Sequence, residues 1–488
     1  MLVAELLSII RLSVKKNQHT LLSLIGIGII NLFLCSNSYA QTRITINSYS
    51  KIDQVMIGGE QVRKMYDASL STDNLDIIAD SIFQYQEREQ FHAFGNIQID
   101  TEDGKHIWAD SLVYFSDRDF SQLRGRVIIA TDSTTLFGNK VDYLFSAEVA
   151  FFLDLIRLED DDGILVAKEG EYFQRLDSAS FRKEVQLSDS TQYAEGDSLF
   201  INRTTNAFRF LGNVFADDSV NNTLLTGDYM EGDSTGRRFL NGNAYLRRIS
   251  EDSTATDTTH INADEILFFK EDSVSYTQGF RDVKIWSPRF SSVSDTVLYN
   301  DSTDVFELIS TPRAWHKNIQ LSGPYIRVEL DDNNIKQLLS YPSPFAVQED
   351  SLTTRLNQIK GDTLQAVFLD GSISRINVYP NSEILFYSTN ENDEPDGAIE
   401  FNAKAITTMY FSPAGFDSVK SIESIDGAYI PESPAVAERR LDGFIWNPEL
   451  RPLRPTSIPI RKYPVISKER PFSLPRRYIE YMNTLIRE

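Results

Sequence analysis

The feature that most constrains what this chain can fold into is a two-part repeat that returns about every 30 residues. One copy, Ile107 to Ala130, reads IWADSLVYFSDRDFSQLRGRVIIA. Its first half opens on an Ala-Asp pair and runs into Leu112, Val113, Tyr114 and Phe115; its second half follows Gly125. Ala/Gly-Asp pairs open apolar runs at Asp80, Asp110, Asp197, Asp228, Asp264 and Asp362. Looser versions stand at Gly138-Asn139, Gly170-Glu171, Ser294-Asp295, Gly323-Pro324 and Ala403-Lys404. The second half recurs as FGNIQID at Phe94, RGRVIIA at Arg124, LGNVFAD at Leu211 and NGNAYLR at Asn241. Self-similarity at such a period marks a stacked-repeat architecture, in which each unit buries its apolar face only against its neighbours.

Within the second half, the second and fourth residues after each Gly are apolar: Ile97 and Ile99, Val127 and Ile129, Val214 and Ala216, Ala244 and Leu246. The residues between them are mostly polar, which is the period-2 alternation of a strand with one hidden face. The Gly-Asn pair suits a tight turn leading into that strand, since both residues tolerate positive φ. The repeated Asp residues read as turn formers whose carboxylates cap backbone N–H groups. After each Asp the pattern is looser, with Leu112 to Phe115 apolar on both faces. Helical periodicity is hard to find, so the expected fold class is all-β and repeat-built.

In chain order, residues 1–40 read as a secretory signal peptide: Arg11, Lys15 and Lys16 precede an apolar run from Leu21 to Cys35, then Ser38-Tyr39-Ala40. The run is short for a membrane span, although a retained anchor stays an alternative. Cys35 is the only cysteine, and the bulky Leu34 before it disfavours lipidation; cleavage after Ala40 leaves a cysteine-free chain suited to an oxidising compartment. Residues 41–340 form the main repeat domain, with Ile44, Ile46 and Tyr49 as a possible edge strand and Ser250 to Thr259 as an exposed loop. Residues 341–429 read as a smaller module of the same kind, introduced by Pro342 and Pro344, with a short helix over Phe345 to Ile359. Residues 430–488 hold nine prolines and 11 Lys/Arg against 7 Asp/Glu, and read as an extended basic arm whose apolar patch Leu441 to Trp446 docks on the body or on a partner.

The net charge is −22, carried by the body, which argues against nucleic acid as a partner. It fits instead a solvated face that keeps an edge-rich β protein soluble. The five histidines show no ligand spacing; His92 and His106 are the one close pair and could face each other across a hairpin. No zinc pattern, phosphate-binding loop, nucleophile elbow or dinucleotide fingerprint is present, so no enzyme, metal or cofactor is expected.

The alternation of A-D-x-h-x-Y/F with G-N-h-x-h, carried by IWADSLVYF, INADEILFF, FGNIQI and LGNVFA, resembles the OstA/LptA family of periplasmic lipopolysaccharide-transport proteins. The resemblance covers residues 76–330 well and 359–411 weakly. It implies a V-shaped β-jellyroll (β-taco), elongated, whose apolar interior holds lipid A acyl chains and whose edge strands join other Lpt-type proteins. The chain departs from a minimal bridge protein by its length and its proline-rich tail. The groove candidates that follow are Ile97, Ile99, Leu112, Tyr114, Val127, Ile129, Val214, Leu246, Ile266, Phe268, Val283 and Ile285. The expected function is a periplasmic conduit for lipopolysaccharide or a related lipid. The alternatives are a closed β-solenoid with a structural or adhesive role, or an inner-membrane-anchored bridge that retains its leader.

Overall fold

The computed structural model describes residues 44–485, apart from 73–74, 103, 132–133, 162, 252–255, 332–333, 413–414 and 468. Residues 1–40, read above as a signal peptide, therefore lie outside the described residues. Thirty-four strands and only short helical segments make up the rest, so the chain is all-β and repeat-built. The contacts group it into two units. One contains the chain up to Asp218 with Glu231–Ser234 and Arg461 onward; the other contains Ser219–Met230 and Thr235–Ile460. The joint expected near 341 falls inside the second unit.

In the first unit, Glu60–Ser71, Leu75–Tyr85, Gln90–Thr101, His106–Phe115, Phe120–Ala130 and Thr135–Leu144 form an antiparallel meander. Asp362 lies in a bend between two strands, but at Asp80, Asp110 and Asp197 the Asp and Gly-containing halves of the repeat are not turns. Each strand runs straight through them, and the register shifts there, as between Ile78 and Ser81 or Phe94 and Ile97. This corrects the sequence reading of both motifs: they meet as a β-bulge in mid-strand, which bends the ladder and resets its alternation. Gly95 and Asn96 both hold left-handed backbone, at φ +77° and +41°. Asp80 lies over the pair, so that a Cβ on Gly95 would sit 2.5 Å from its Oδ2. The Asn96 amide donates to the same oxygen at 2.8 Å. Asp197, Gly212 and Asn213 repeat the arrangement, with the amide at 2.7 Å. In the copy at Lys183-Glu184 no glycine is present, and both residues take positive φ themselves.

The bulges form a crease that divides every long strand between two facing walls. Small residues line its inner side. A Cβ on Gly138, Gly170 or Gly196 would approach the rings of Phe152, Phe181 or Phe210 to 3.2, 3.1 and 2.8 Å. Past Leu144 the crease breaks the strands outright: Val149–Phe152 and Glu169–Phe173 belong to one wall, Ile156–Glu159 and Ile164–Ala167 to the other. His92 and His106, expected to face each other, lie on opposite sides of the crease. His92 pairs with Val113, and His106 with Ala130 and Asp100.

The second unit uses the same device. Arg238–Glu251, Thr256–Glu271, Val274–Trp286 and Ser291–Asn300 are bulged strands; from Val305 the two walls are separate ladders. The expected exposed loop at 250–259 is mostly strand, and its centre, 252–255, lies outside the described residues. The helix expected over Phe345 to Ile359 is a hairpin of Phe345–Glu349 and Leu356–Lys360. Its turn is set by Asp350, whose Oδ1 accepts the N–H groups of Leu352 and Thr353 at 3.0 and 2.7 Å. Side-chain capture of this kind stabilises a turn and competes with helix.

Among the described residues, each unit presents terminal strands with one recorded partner. Thr45–Ser48 and Lys51–Ile57 pair only with Glu60–Ser71. Gly415–Ile422 pairs only with Ile406–Ser412, and Asp426–Pro431 only with Pro395–Ala403. Met56 in the first unit and Phe416, Val419, Ile422 and Tyr429 in the second are exposed there.

Candidate functional site

All twelve groove candidates point between the walls and are buried, none more than 6 % exposed. Seven lie in the first unit. Ile99 pairs with Ile107, which pairs with Ile129, and Ile129 pairs with Leu136. Beyond the crease Leu112 pairs with Leu123, and Tyr114 stacks on Phe91 at 4.9 Å between centroids. Ile97 and Val127 sit beside the crease, opposite Ala109 and Gly138, and Val214 occupies the equivalent position further along. The other five lie in the second unit, where Leu246, Ile261 and Ile285 form one row and Leu240 pairs with Ile266. Phe268 and Val283 flank these rows. All twelve are closed off from solvent.

The interior is hollow elsewhere. In the first unit a cavity of about 310 Å³ lies between Leu136, Ile156 and Leu158 of one wall and Ala179, Phe181 and Ile201 of the other. None of the twelve candidates lines it. Alternation identifies inward-facing residues; whether opposing residues meet depends on the separation of the walls, which a single strand does not encode. The volume is about twice that of an apolar cavity of about 150 Å³ that stays dry and takes up benzene. By contrast, an apolar void between the walls of the second unit, lined by Ile384, Met409, Phe411 and Phe416, holds about 50 Å³.

The cavity opens on the side away from the crease, where hairpin turns end both walls. Gly104, Lys105, Thr131 and Thr134 form one rim; Glu171, Tyr172, Gln174 and Arg203 form the other. The Lys105 ammonium donates to the side-chain oxygen of Gln174 and so bridges the rims. Arg203 pairs with Asp177 at 3.3 Å, while its buried Nε has no hydrogen-bond partner. Glu171 is held by Arg182. Burial pushes the Tyr172 phenol above its ordinary value. The arrangement is an apolar hollow with a polar, charged rim.

The chain's C-terminal stretch covers the outer face of one wall in each unit. Its backbone is held by buried polar side chains that alternation alone would place in solvent. In the second unit the Gln320 amide donates to the Ile445 carbonyl at 3.1 Å, and its oxygen accepts the Asn447 N–H at 2.8 Å. Leu441, Phe444 and Trp446 pack with Phe345, Val347 and Tyr387. In the first unit Glu195, fully buried, accepts the Lys462 N–H at 2.5 Å, and Arg157 donates to the Ser467 carbonyl at 2.6 Å. The helix Arg476–Leu485 then sets Tyr478 against Trp108, Ile128, Ala130 and Phe137. This explains why Trp108 and Ile128 interrupt the polar face of their strands. The signal in the sequence was the presence of Gln, Glu and Trp in otherwise regular strands.

Among the described residues, no group of three or more His, Cys, Asp or Glu is placed to hold a metal ion. No described helix is long and apolar enough to cross a membrane. The family model described as OstA-like protein matches residues 42–197, a span that contains twelve of the fourteen residues lining the cavity, all but Ile201 and Arg203. No curated protein matches the chain.

Proposed function

We propose, from the match of residues 42–197 to the OstA-like protein family model, that this chain is a non-enzymatic periplasmic lipid-binding bridge. It carries the acyl chains of lipopolysaccharide or a related lipid between its facing β-walls, toward the outer membrane. The observation that supports this most is the apolar cavity between Leu136, Ile156, Leu158, Ala179, Phe181 and Ile201. A hydrocarbon chain there gains about 0.8 kcal/mol for each buried methylene. The seven inward positions of the first unit belong to the same apolar interior as the cavity, so a chain moving there meets side chains of similar character at every step. Uniform surroundings favour sliding over trapping.

Partners of the same transport class join at the terminal strands. Lys51–Ile57, Gly415–Ile422 and Asp426–Pro431 each offer an edge for strand addition, with apolar side chains beside it.

The test is a photocrosslinking residue placed at Leu158 or Phe181, at Ile129, Leu112 and Phe268, and at Lys284 on the surface as control. Lipopolysaccharide adducts at interior positions and none at Lys284 are expected. Their absence from every interior position in a folded, exported protein would turn the reading to a closed β-solenoid with a purely structural core.

A further inference from the structure

We propose that a groove on the outer face of the second unit, between the crease and the C-terminal stretch, docks an extended peptide segment that carries an acidic residue and, about four residues away, a basic one. Being outside the walls, this groove is independent of the lipid-binding interior. It holds about 740 Å³, within the range of about 300–1,000 Å³ that suits a compact ligand. One bank is the tail at Asp442, Gly443 and Ile445. That bank is fixed from below: the Gln320 amide donates to the Ile445 carbonyl at 3.1 Å, and the Lys360 ammonium to the Asp442 carbonyl at 3.0 Å. The other bank is the crease, where Pro312, Pro324 and Pro344 place rigid rings between strands.

The charges along the floor decide what fits. Arg313, Ser322, Phe345, Lys360 and Glu383 pair in turn across five neighbouring strands and so share one face. Strands stand about 4.8 Å apart, which puts Arg313 about 14 Å from Lys360. Arg313 has no counter-charge of its own. Its neighbours on the adjoining strands are Val293 and Ser322, and its Nε is buried without a hydrogen-bond partner. Among the described residues it makes neither a side-chain hydrogen bond nor an ion pair. A buried donor left unpaired is costly, and a carboxylate matches a guanidinium in both charge and shape. At the other end the sign is reversed. Lys360 is already paired with Glu383 at 3.0 Å. Asp362 receives the neutral Asn381 amide at 2.8 Å and Asp442 stands exposed, neither of them in an ion pair among the described residues. A ligand of one sign is attracted at one end and repelled at the other, so a chain bearing both signs fits. Extended backbone rises about 3.3 Å per residue, and about 14 Å is therefore about four residues. The groove offers no platform for a stacked ring: the aromatic side chain in its lining, Phe345, is 5 % exposed and meets Phe444 edge-on at 6.0 Å between centroids.

The experiment measures the fluorescence anisotropy of labelled, capped pentapeptides titrated with the full chain: Glu-Pro-Ala-Pro-Lys, the reversed Lys-Pro-Ala-Pro-Glu and the neutral Gln-Pro-Ala-Pro-Gln. The prolines hold each peptide extended. One of the two bipolar peptides should bind about tenfold more tightly than the neutral one. Arg313→Gln should remove that preference, and Asp362→Asn combined with Asp442→Asn should remove it from the other end. Arg313→Glu should lose the bipolar peptide and gain Lys-Pro-Ala-Pro-Lys, a reversal that damage to the wall does not produce. Because Arg313 makes no side-chain bond within the protein, its variants should keep the urea midpoint of the parent chain. Equal binding of bipolar and neutral peptides, or a preference indifferent to Arg313→Gln, would overturn the proposal. Binding of inorganic phosphate that depends on Arg313, with no bipolar peptide bound, would also overturn it and leave a bare anion site.

Discussion

Gln358 holds Leu441 through its backbone: the Gln358 side-chain oxygen accepts the Leu441 N–H at 2.8 Å, and its amide donates to the Arg439 carbonyl at 3.3 Å. Gln358 is 2 % exposed, so both groups of the tail are satisfied out of water by one side chain. Gln358→Ala should therefore lower stability by about 1–3 kcal/mol, the cost of leaving buried polar groups unmade. The midpoint of urea unfolding measures it. Because the loss falls on the attachment of the tail, proteolysis after Arg439 and Arg440 should rise in native conditions as well, as local opening becomes easier.

The ring of Tyr478 meets Trp108 edge-on at 4.9 Å between centroids, and both residues are at most 1 % exposed. Tyr478→Ala opens a hole over the outer face of the wall and exposes the indole. A loss of about 3 kcal/mol is expected from an aromatic-to-alanine change in a packed site. Trp108 fluorescence should shift to the red, measured in a background where Trp286, Trp315 and Trp446 are replaced by Phe. An unshifted Trp108 emission would mean that the helix Arg476–Leu485 does not cover this face in solution.

How much of this was legible in the sequence can be argued from particular residues. The all-β class and the inward row of Ile97, Ile99, Val127 and Ile129 follow from alternation, because burial on one face of a pleated strand imposes period 2. The bulge did not, since Gly and Asn serve turns and bulges through the same left-handed backbone; only the pairing register separates the two. The helix expected over 345–359 failed because Asp350 captures the backbone of Leu352 and Thr353, a local contact that outweighs weak helical preference. The cavity was out of reach for a different reason. Leu158 and Phe181 belong to opposite walls, and the distance between walls is set by residues all along the crease.

At Gly212 the backbone is left-handed at φ +72°, and an added Cβ would fall 2.4 Å from Asp197 Oδ2. Gly212→Ala must displace the carboxylate as well as strain the backbone, at an expected cost of about 1–3 kcal/mol. Asp197 is also bound by the Lys462 ammonium at 2.8 Å and the Tyr463 hydroxyl at 2.5 Å, so its displacement loosens the tail. The double variant Asp197→Ala, Gly212→Ala should be less destabilised than the two single effects added together, because part of the strain disappears with the carboxylate. Strict additivity in thermal unfolding would refute that coupling.

His260 links the outer face to pH. Its Nδ1 lies 2.7 Å from the Tyr245 hydroxyl, the Trp286 ring is 5.6 Å away, and the side chain is 4 % exposed. Burial, then the nearby charges of Arg247 and Arg454, hold its pKa below the ordinary value of 6.5. The folded protein thus binds this proton less readily than the unfolded chain. The contribution of neutral His260 to stability is therefore complete above pH 6.5 and declines as the pH falls through 6.5 toward the lowered folded value. His92 and His316 are shifted the same way, each mainly by burial, and add to the decline. Urea midpoints should fall between neutral pH and pH 5, and His260→Phe should flatten part of that slope while His92 and His316 sustain the remainder. A His260 ring signal that titrates at or above 6.5 in a nuclear magnetic resonance experiment would contradict this account, since it would place the imidazole in water and not beneath Arg454.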